Sequence, residues 1–150
     1  MQIGITGGTG TVGKRIAALL SSKGYGVTIL TRSPGRAGGN GYQYALSDAD
    51  NNRCDTSALA GIHAVIHLAG EPVAGKRWTT AQKDKIASSR IAGTRFLVDM
   101  LKAHAPSCKT FIGASAIGYY GPDAAPAVPF TETSPVHPDF LGTVCQQWEE

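Results

Sequence analysis

The chain opens with a short apolar run around Ile3 and Ile5, and Thr6-Gly-Gly-Thr-Gly-Thr-Val-Gly13 follows it at once. Glycines at 7, 10 and 13, set between a strand-like run and a helix-like stretch from Lys14 to Lys23, restrict the fold more than any other feature. A second apolar run, Val27 to Leu30, follows the Gly24-Tyr25-Gly26 turn. Strand, glycine turn, helix and strand within about thirty residues make a βαβ unit, and a connection of that length joins parallel strands. Such a turn brings backbone close to a pyrophosphate, and the helix behind it offers unpaired N–H groups and the positive end of its dipole. Gly7, Thr9, Gly10, Thr11, Val12 and Gly13 are therefore the first cofactor candidates, and the cofactor is a dinucleotide.

Selection between dinucleotides falls to the end of the second strand. A carboxylate there accepts the adenosine ribose 2′-hydroxyl, whereas a cation accepts a 2′-phosphate. This chain has Arg32 followed by Ser33, which favours NADP over NAD.

Further along, Tyr42–Leu46 reads as a short strand, and Asp55–Leu59 as a short helix with Asp55 as N-cap. Ala64–Gly70 is an apolar strand closing on glycine, and Thr80–Ala103 is the longest helical stretch, with Ile86, Ile91, Leu97, Val98 and Leu101 as its apolar stripe. Lys109–Ser115 is the next strand. Five prolines between 122 and 138 mark a loop, and Asp139–Glu150 begins a last helix. The fold expected is α/β, a doubly wound, Rossmann-type parallel sheet of about five strands with helices on both faces. It occupies residues 1–150 as one NAD(P)-binding domain.

Composition narrows the functional classes. Nineteen glycines in 150 residues, against a usual share of about 7%, are loop punctuation rather than low complexity. Residues 1–109 hold all fourteen Lys and Arg with six acids, a balance of +8, while residues 110–150 carry five acids and no Lys or Arg. The basic part suits anions. No aromatic-interleaved basic signature is present, so nucleic acid is not expected as a partner. With no apolar run approaching roughly eighteen residues, neither is a membrane. Cys54, Cys108 and Cys145 fit neither a disulfide framework nor a metal site, and His63, His104 and His137 lack ligand spacing, so no metal is assigned and a reducing cytoplasm is the expected compartment.

Several segments together resemble a known group. TGGTGTVG at 6–13, HLAG at 67–70, Gly93-Thr94 and SAIGYYG at 115–121 are similar to the extended short-chain dehydrogenase/reductases, which include nucleotide-sugar epimerases and dehydratases. HLAGEPVAGKRW (67–78), SSRIAGTRFLVDML (88–101) and FLGTVCQQWEE (140–150) resemble more narrowly an atypical branch of epimerase family proteins, described as nucleoside-diphosphate-sugar epimerase-like. The resemblance implies that His67, Leu68, Ala69 and Gly70 lie along the nicotinamide ribose. The alternative for His67 is a strand-end imidazole satisfied by backbone. It also implies that Ser115 hydrogen-bonds the substrate, with Tyr120 beside it. Members of that branch are about twice this length, which marks the chain as an N-terminal part.

One departure bears on chemistry. The family pairs tyrosine and lysine in a YxxxK pattern, the lysine lowering the tyrosine pKa for proton transfer. Counting four on from each tyrosine here gives Ile29, Leu46, Asp48, Asp123 and Ala124. Where the pattern belongs stand Phe140 or Leu141, then Val144 or Cys145. Arg90 stands where many relatives have asparagine. Lys76, Arg77, Lys83, Lys85, Arg90 and Arg95 surround the single acid Asp84, either as phosphate contacts or as a solvated helix face.

Two functions remain open. One is an NADP-dependent oxidoreductase or epimerase (isomerase) acting on a small hydroxylated or nucleotide-linked substrate, such as a nucleotide sugar, through Ser115 and Tyr120. The other is an NADP(H)-binding sensor or scaffold without catalysis. A sheet edge left uncovered would favour a homodimer.

Overall fold

The structure is a computed structural model and describes residues 1–36, 41–123 and 129–150. Its elements are β1 (Gln2–Thr6), α1 (Thr11–Ser22), β2 (Gly26–Thr31), β3 (Gln43–Asp48), β4 (Arg53–Cys54), α2 (Thr56–Leu59), β5 (Ala64–His67), α3 (Thr80–His104), β6 (Thr110–Gly113) and α4 (Phe140–Glu149), with 3-10 turns at Pro34–Arg36 and Ile117–Tyr119. Contacts divide them into two compact units, Met1–Ala114 and Ser115–Glu150.

The first unit is a six-stranded sheet in the order β4-β3-β2-β1-β5-β6. The β1 pairings set Ile5 against Ile29 and Ile66, and the β5–β6 pairing sets His67 against Gly113. All pairs are parallel except β3–β4. The sheet reverses direction of winding at β1, so α1 covers one face and α2 and α3 the other, a doubly wound arrangement. On the α1 face, Ile3, Ile5, Val27 and Ile29 pack with Ala17. On the opposite face, Leu30, Ala45 and Val65 pack with Leu59 of α2 and Leu97 and Leu101 of α3. Period-2 alternation in β1, β2 and β5 divides these residues between the faces.

Three differences from the sequence reading have local causes. The sixth strand, β4, is two residues long and antiparallel, pairing Ser47 with Cys54 and Asp48 with Arg53. Its turn is held by the Asp48 carboxylate, which accepts from Asn51 N and Nδ2 at 3.3 and 2.9 Å, and Asn52 takes a left-handed conformation at φ 51°. Two residues carry no alternation to read. Helix α1 begins at Thr11 rather than Lys14, because Gly10 is its extended N-cap and accepts from Lys14 N at 3.0 Å. Leu19, expected with Ile16 and Leu20 on the apolar face, is 56% exposed, and Ala17 is the buried residue. The inward face runs Gly13, Ala17, Leu20 and follows the close approach of the helix to the sheet.

The expected N-cap Asp55 accepts from Ala58 N at 3.2 Å, and Thr79 caps α3, accepting from Gln82 N at 3.2 Å. Among the described residues no helix is long and apolar enough to cross a membrane.

In the second unit, Asp139 caps α4 by accepting from Gly142 N at 2.7 Å. Val144 and Cys145 are buried, and the Cys145 thiol donates to the Ala116 carbonyl at 3.7 Å. His137 N donates to the Tyr119 carbonyl at 2.8 Å, closing the loop between the 3-10 turn and α4.

Leu97 is 1% exposed at the centre of the α3 face. Leu97→Ala is expected to cost about 2–5 kcal/mol in urea unfolding, while Leu19→Ala, at an exposed site, stays within about 0.5 kcal/mol of the parent.

Candidate functional site

The strands β1, β2, β3 and β5 end on the same side of the sheet, and their carboxyl ends open into a cleft of about 680 Å³. This is the crevice at which open parallel sheets bind ligands, at the point where the winding reverses. Its floor is Thr6, Gly7, Thr9 and Gly10, one end is Thr31 and Arg32 with Ser47, Ala49 and Asp50, and the other is the segment His67 to Pro72. Helix α3 closes the side with Ser88, Ser89, Gly93 and Phe96, and Lys76 and Lys85 also line it.

The glycine turn is built by close approach. Gly7 has φ 68°, which an L side chain rarely adopts, and its backbone lies against Leu68 at the end of β5. Gly10 N donates to the Gly7 carbonyl at 3.0 Å. A methyl group on Gly13 would collide with that same carbonyl oxygen and lie 2.6 Å from Gly8 Cα. Gly13 is thus needed to bring the first turn of α1 onto the loop, while Gly7 and Gly10 form the surface of the cleft.

At the β5 end the side chain of Thr6 is a hub. Its Oγ1 accepts from Leu68 N at 3.1 Å and Ala69 N at 3.3 Å, and lies 2.6 Å from His67 Nδ1. Burial pushes the His67 pKa down to about 4, so the ring is neutral at ordinary pH. His67 is 3% exposed, its ring sits 5.9 Å from that of Phe111, and its buried Nε2 has no hydrogen-bond partner among the described residues.

The Gly70-Glu71 turn is pinned to α3. Glu71 N donates to Ser89 Oγ at 2.9 Å, and Arg90 Nη1 donates to the carbonyls of Glu71 at 3.0 Å and Ile86 at 3.1 Å. A methyl group on Gly70 would lie 3.2 Å from Arg90 Cζ, so the guanidinium packs against glycine backbone. The Glu71 carboxylate accepts from Lys76 Nζ at 2.6 Å and Gln82 Nε2 at 3.1 Å, and these bonds hold it below the usual carboxylate range. Trp78 Nε1 donates to the Val73 carbonyl at 2.8 Å, bracing the same loop.

Of the residues singled out from sequence, Gly7, Thr9, Gly10, Arg32, His67, Leu68, Ala69 and Gly70 meet in this cleft. Thr11, Val12, Gly13 and Ser33 are not among its lining: the first three form the opening turn of α1, where Val12 is 62% exposed, and Ser33 N donates to Thr31 Oγ1 at 3.4 Å. Arg32 Nη1 lies 3.4 Å from Asp50 Oδ2, with both side chains about two-thirds exposed. Asp50 and Glu71 were not singled out from sequence. Nothing local links Asp50 to Arg32, eighteen residues away, whereas Glu71 could have been found directly after the HLAG turn.

Ser115 and Tyr120 come together in the second unit. They line a concavity of about 480 Å³ with Tyr119, Glu132 and Glu149. The Ser115 hydroxyl donates to Glu149 Oε1. Tyr120 stacks on Phe130, centroids 5.0 Å apart and planes at 13°, and meets Tyr119 edge-on at 5.2 Å.

The sequence model of the NAD dependent epimerase/dehydratase family matches residues 3–140. The chain belongs to that family. An epimerase family protein of Staphylococcus haemolyticus is 37% identical over 149 residues, covering 99% of this chain and 48% of the relative. A crystal structure of the nucleoside-diphosphate sugar epimerase from Corynebacterium glutamicum superposes with a TM-score of 0.76 at 33% identity, covering 99% of this chain and 29% of that one. A short-chain dehydrogenase/reductase superfamily protein from Agrobacterium tumefaciens, solved with bound NAD, gives a TM-score of 0.78 at 25% identity, covering 99% and 43%. The chain therefore spans about half the length of the curated relative it matches, and its fold is that of the epimerase and short-chain dehydrogenase/reductase group.

The Gly70–Arg90 packing predicts coupling. Gly70→Ala and Arg90→Ala are each expected to destabilise the first unit, and the double variant to lose less than the sum of the two, measured as a double-mutant cycle in urea. Additive losses would show that the guanidinium does not set the requirement for glycine.

The neutral His67 predicts a pH dependence. Its folded pKa of about 4 lies below the ordinary histidine value of 6.5 because of burial, so the unfolded chain binds the proton more readily, and this contribution to stability is complete above pH 6.5 and lost as pH falls toward 4. The urea midpoint of the parent should drop more steeply across that window than the midpoint of His67→Gln.

Proposed function

We propose that this chain holds a nicotinamide dinucleotide across the carboxyl ends of β1, β2 and β5, and that NADP is preferred to NAD. The observation that carries this reading is the coincidence of Gly7, Gly10, Arg32 and the His67–Gly70 segment in one cleft. Two further features fit a dinucleotide: the close-packed glycine turn and the cations Lys76 and Lys85 in the walls. The diphosphate would meet Gly7–Gly10 and the first turn of α1, Thr11 to Gly13, where the helix dipole and N–H groups favour negative charge. Arg32, with Ser33 beside it, would meet the ribose 2′-phosphate, and His67–Gly70 would line the nicotinamide ribose. The bound dinucleotide would supply hydride chemistry; the chain supplies orientation and charge.

The Arg32–Asp50 pair bears on cofactor choice. An exposed ion pair is worth about 0–1 kcal/mol, so a phosphate can displace Asp50 from the guanidinium at small cost.

The activity that fits the family is oxidoreduction or epimerisation of a small hydroxylated or nucleotide-linked substrate, as the similarity to the Corynebacterium glutamicum nucleoside-diphosphate sugar epimerase suggests. Residues 1–150 would be the cofactor-binding N-terminal part of a protein about twice as long. Ser115 and Tyr120 are the residues we assign to the substrate. No Lys or Arg follows Lys109, and buried Val144 and Cys145 stand where the family lysine belongs, so the sequence after Lys109 offers no lysine to partner a tyrosine. That observation favours a second reading, an NADP(H) sensor or scaffold. The edge of β6, last in the sheet order among the described residues, is the surface we propose for a homodimer, and a monomeric mass by light scattering would count against it.

Titration by nicotinamide fluorescence and thermal shift tests the cofactor reading. NADPH should bind more tightly than NADH, and Arg32→Ala should weaken NADPH about tenfold while leaving NADH unchanged, the scale of one charge-assisted hydrogen bond. Asp50→Asn should tighten NADPH. Equal loss of both dinucleotides in Arg32→Ala would remove the 2′-phosphate assignment. For the two functions, Ser115→Ala and Tyr120→Phe should abolish single-turnover oxidation of NADPH by an oxidised nucleotide sugar in an enzyme. A sensor would show no turnover in the parent.

A further inference from the structure

The charges that line the cleft pair off and leave one over. Arg32 Nη1 lies 3.4 Å from Asp50 Oδ2, and Lys76 Nζ lies 2.6 Å from Glu71 Oε1. Lys85, which also lines the cleft, forms no salt bridge among the described residues, yet its charge acts on the Glu71 carboxylate together with that of Lys76. Two cations therefore flank one carboxylate, and the surplus positive charge of the cleft lies beside Glu71. Arg32 follows β2 and Glu71 follows β5, and those strands stand two spacings apart across β1, about 10 Å.

The three groups differ in their freedom to move. Glu71 is fixed: its amide donates to Ser89 Oγ at 2.9 Å, its carbonyl accepts from Arg90 Nη1 at 3.0 Å, and its Oε1 accepts from Nε2 of buried Gln82 at 3.1 Å. Lys76 is tied to it by an ion pair, and the lysine side chain is 59% exposed against 21% for the glutamate. The ammonium can turn to an entering anion while Gln82 keeps Glu71 Oε1 satisfied. On α3, the cleft-lining residues Lys85, Ser88, Ser89 and Ala92 recur at the three- and four-residue spacing that places them on one face. Lys85 stands one helical turn before Ser89, so the serine that holds Glu71 N also sets Lys85 about 5–6 Å further along the same wall.

We propose that Lys76 and Lys85 hold the phosphate of a second ligand, a phosphorylated co-substrate that occupies the cleft together with the dinucleotide, and that Glu71 is the counter-ion that keeps Lys76 in position until the phosphate arrives. The inference rests on the dinucleotide reading of the cleft, and it chooses between the substrate classes left open there: the substrate is anionic. NADP has two anionic groups, a diphosphate and a 2′-phosphate, and that reading gives them to the glycine turn and to Arg32. Lys76 and Lys85 add a third position for negative charge, on the other side of β1 from Arg32. An ammonium is a compact point charge on a flexible stem, which suits a phosphate that must be both captured and released.

Inorganic pyrophosphate is the probe, titrated by calorimetry into the full chain saturated with NADPH, while nicotinamide fluorescence reports whether NADPH stays bound. Pyrophosphate should bind without releasing NADPH. Lys76→Gln and Lys85→Gln should each weaken pyrophosphate about tenfold, the scale of one charge-assisted contact, and change NADPH affinity less than about threefold. Lys85→Arg, which keeps the charge, should stay within about threefold of the parent for pyrophosphate, and Glu71→Gln, which removes the competing carboxylate, should tighten it. Release of NADPH by pyrophosphate, or equal loss of both ligands in the lysine variants, overturns the proposal and gives the lysines to the dinucleotide. Unchanged pyrophosphate affinity in Lys76→Gln and Lys85→Gln, with melting temperatures showing both folded, overturns it as well. If NADPH binds and pyrophosphate does not, the proposal falls and the dinucleotide reading stands. If NADPH does not bind, the dinucleotide reading falls and takes the proposal with it, a failure seen before any pyrophosphate is added.

Discussion

The contact between the first turn of α1 and the loop after β1 organises the first unit. Gly13 lies so close to the Gly7 carbonyl and Gly8 that no side chain fits. This approach sets the distance at which α1 crosses the sheet, and that distance makes Ala17 the buried residue in the middle of the helix and leaves Leu19 outside. It also leaves the amino end of α1 beside the cleft instead of burying it. Helix packing and the cleft surface thus draw on neighbouring glycines of one turn.

On the far side of β1 a second constraint acts through Thr6. Strand β1 ends there, β5 ends at His67, and the Thr6 hydroxyl joins the two strand ends through three partners. The turn that follows is tied to α3 by Ser89, Gln82 and Arg90. Most of these groups are polar and partly buried, where each hydrogen bond must be made for the arrangement to be stable. The cleft wall is therefore held by directional bonds as well as by apolar packing, which suits a surface that has to present fixed donors and acceptors.

Charge separates the two units. The cleft draws Arg32, Lys76 and Lys85 from the basic part of the chain, whereas the concavity around Ser115 is lined by Glu132 and Glu149 with no cation in that part of the sequence. The cleft sets Arg32, Lys76 and Lys85 against Asp50 and Glu71, one more cation than carboxylate, and the charged residues lining the concavity are carboxylates alone.

Much of this was legible in the chain itself. Alternation in β1, β2 and β5, the Asp55 cap and the glycine spacing are local signals, because each depends on residues within one or two turns of each other. They were sufficient for the parallel, doubly wound fold and for the glycine-turn end of the cleft, while the His67–Gly70 wall came from the family resemblance. Tertiary structure decided what depends on distance across the sequence. Asp50 meets Arg32 because β3 pairs beside β2, Arg90 covers Gly70 because α3 crosses the end of β5, and the Thr6 hydroxyl meets His67 Nδ1, sixty-one residues on, because β1 and β5 pair side by side. A sequence states which donors and acceptors exist, and only the folded chain brings them within the 3 Å at which one selects the state of another.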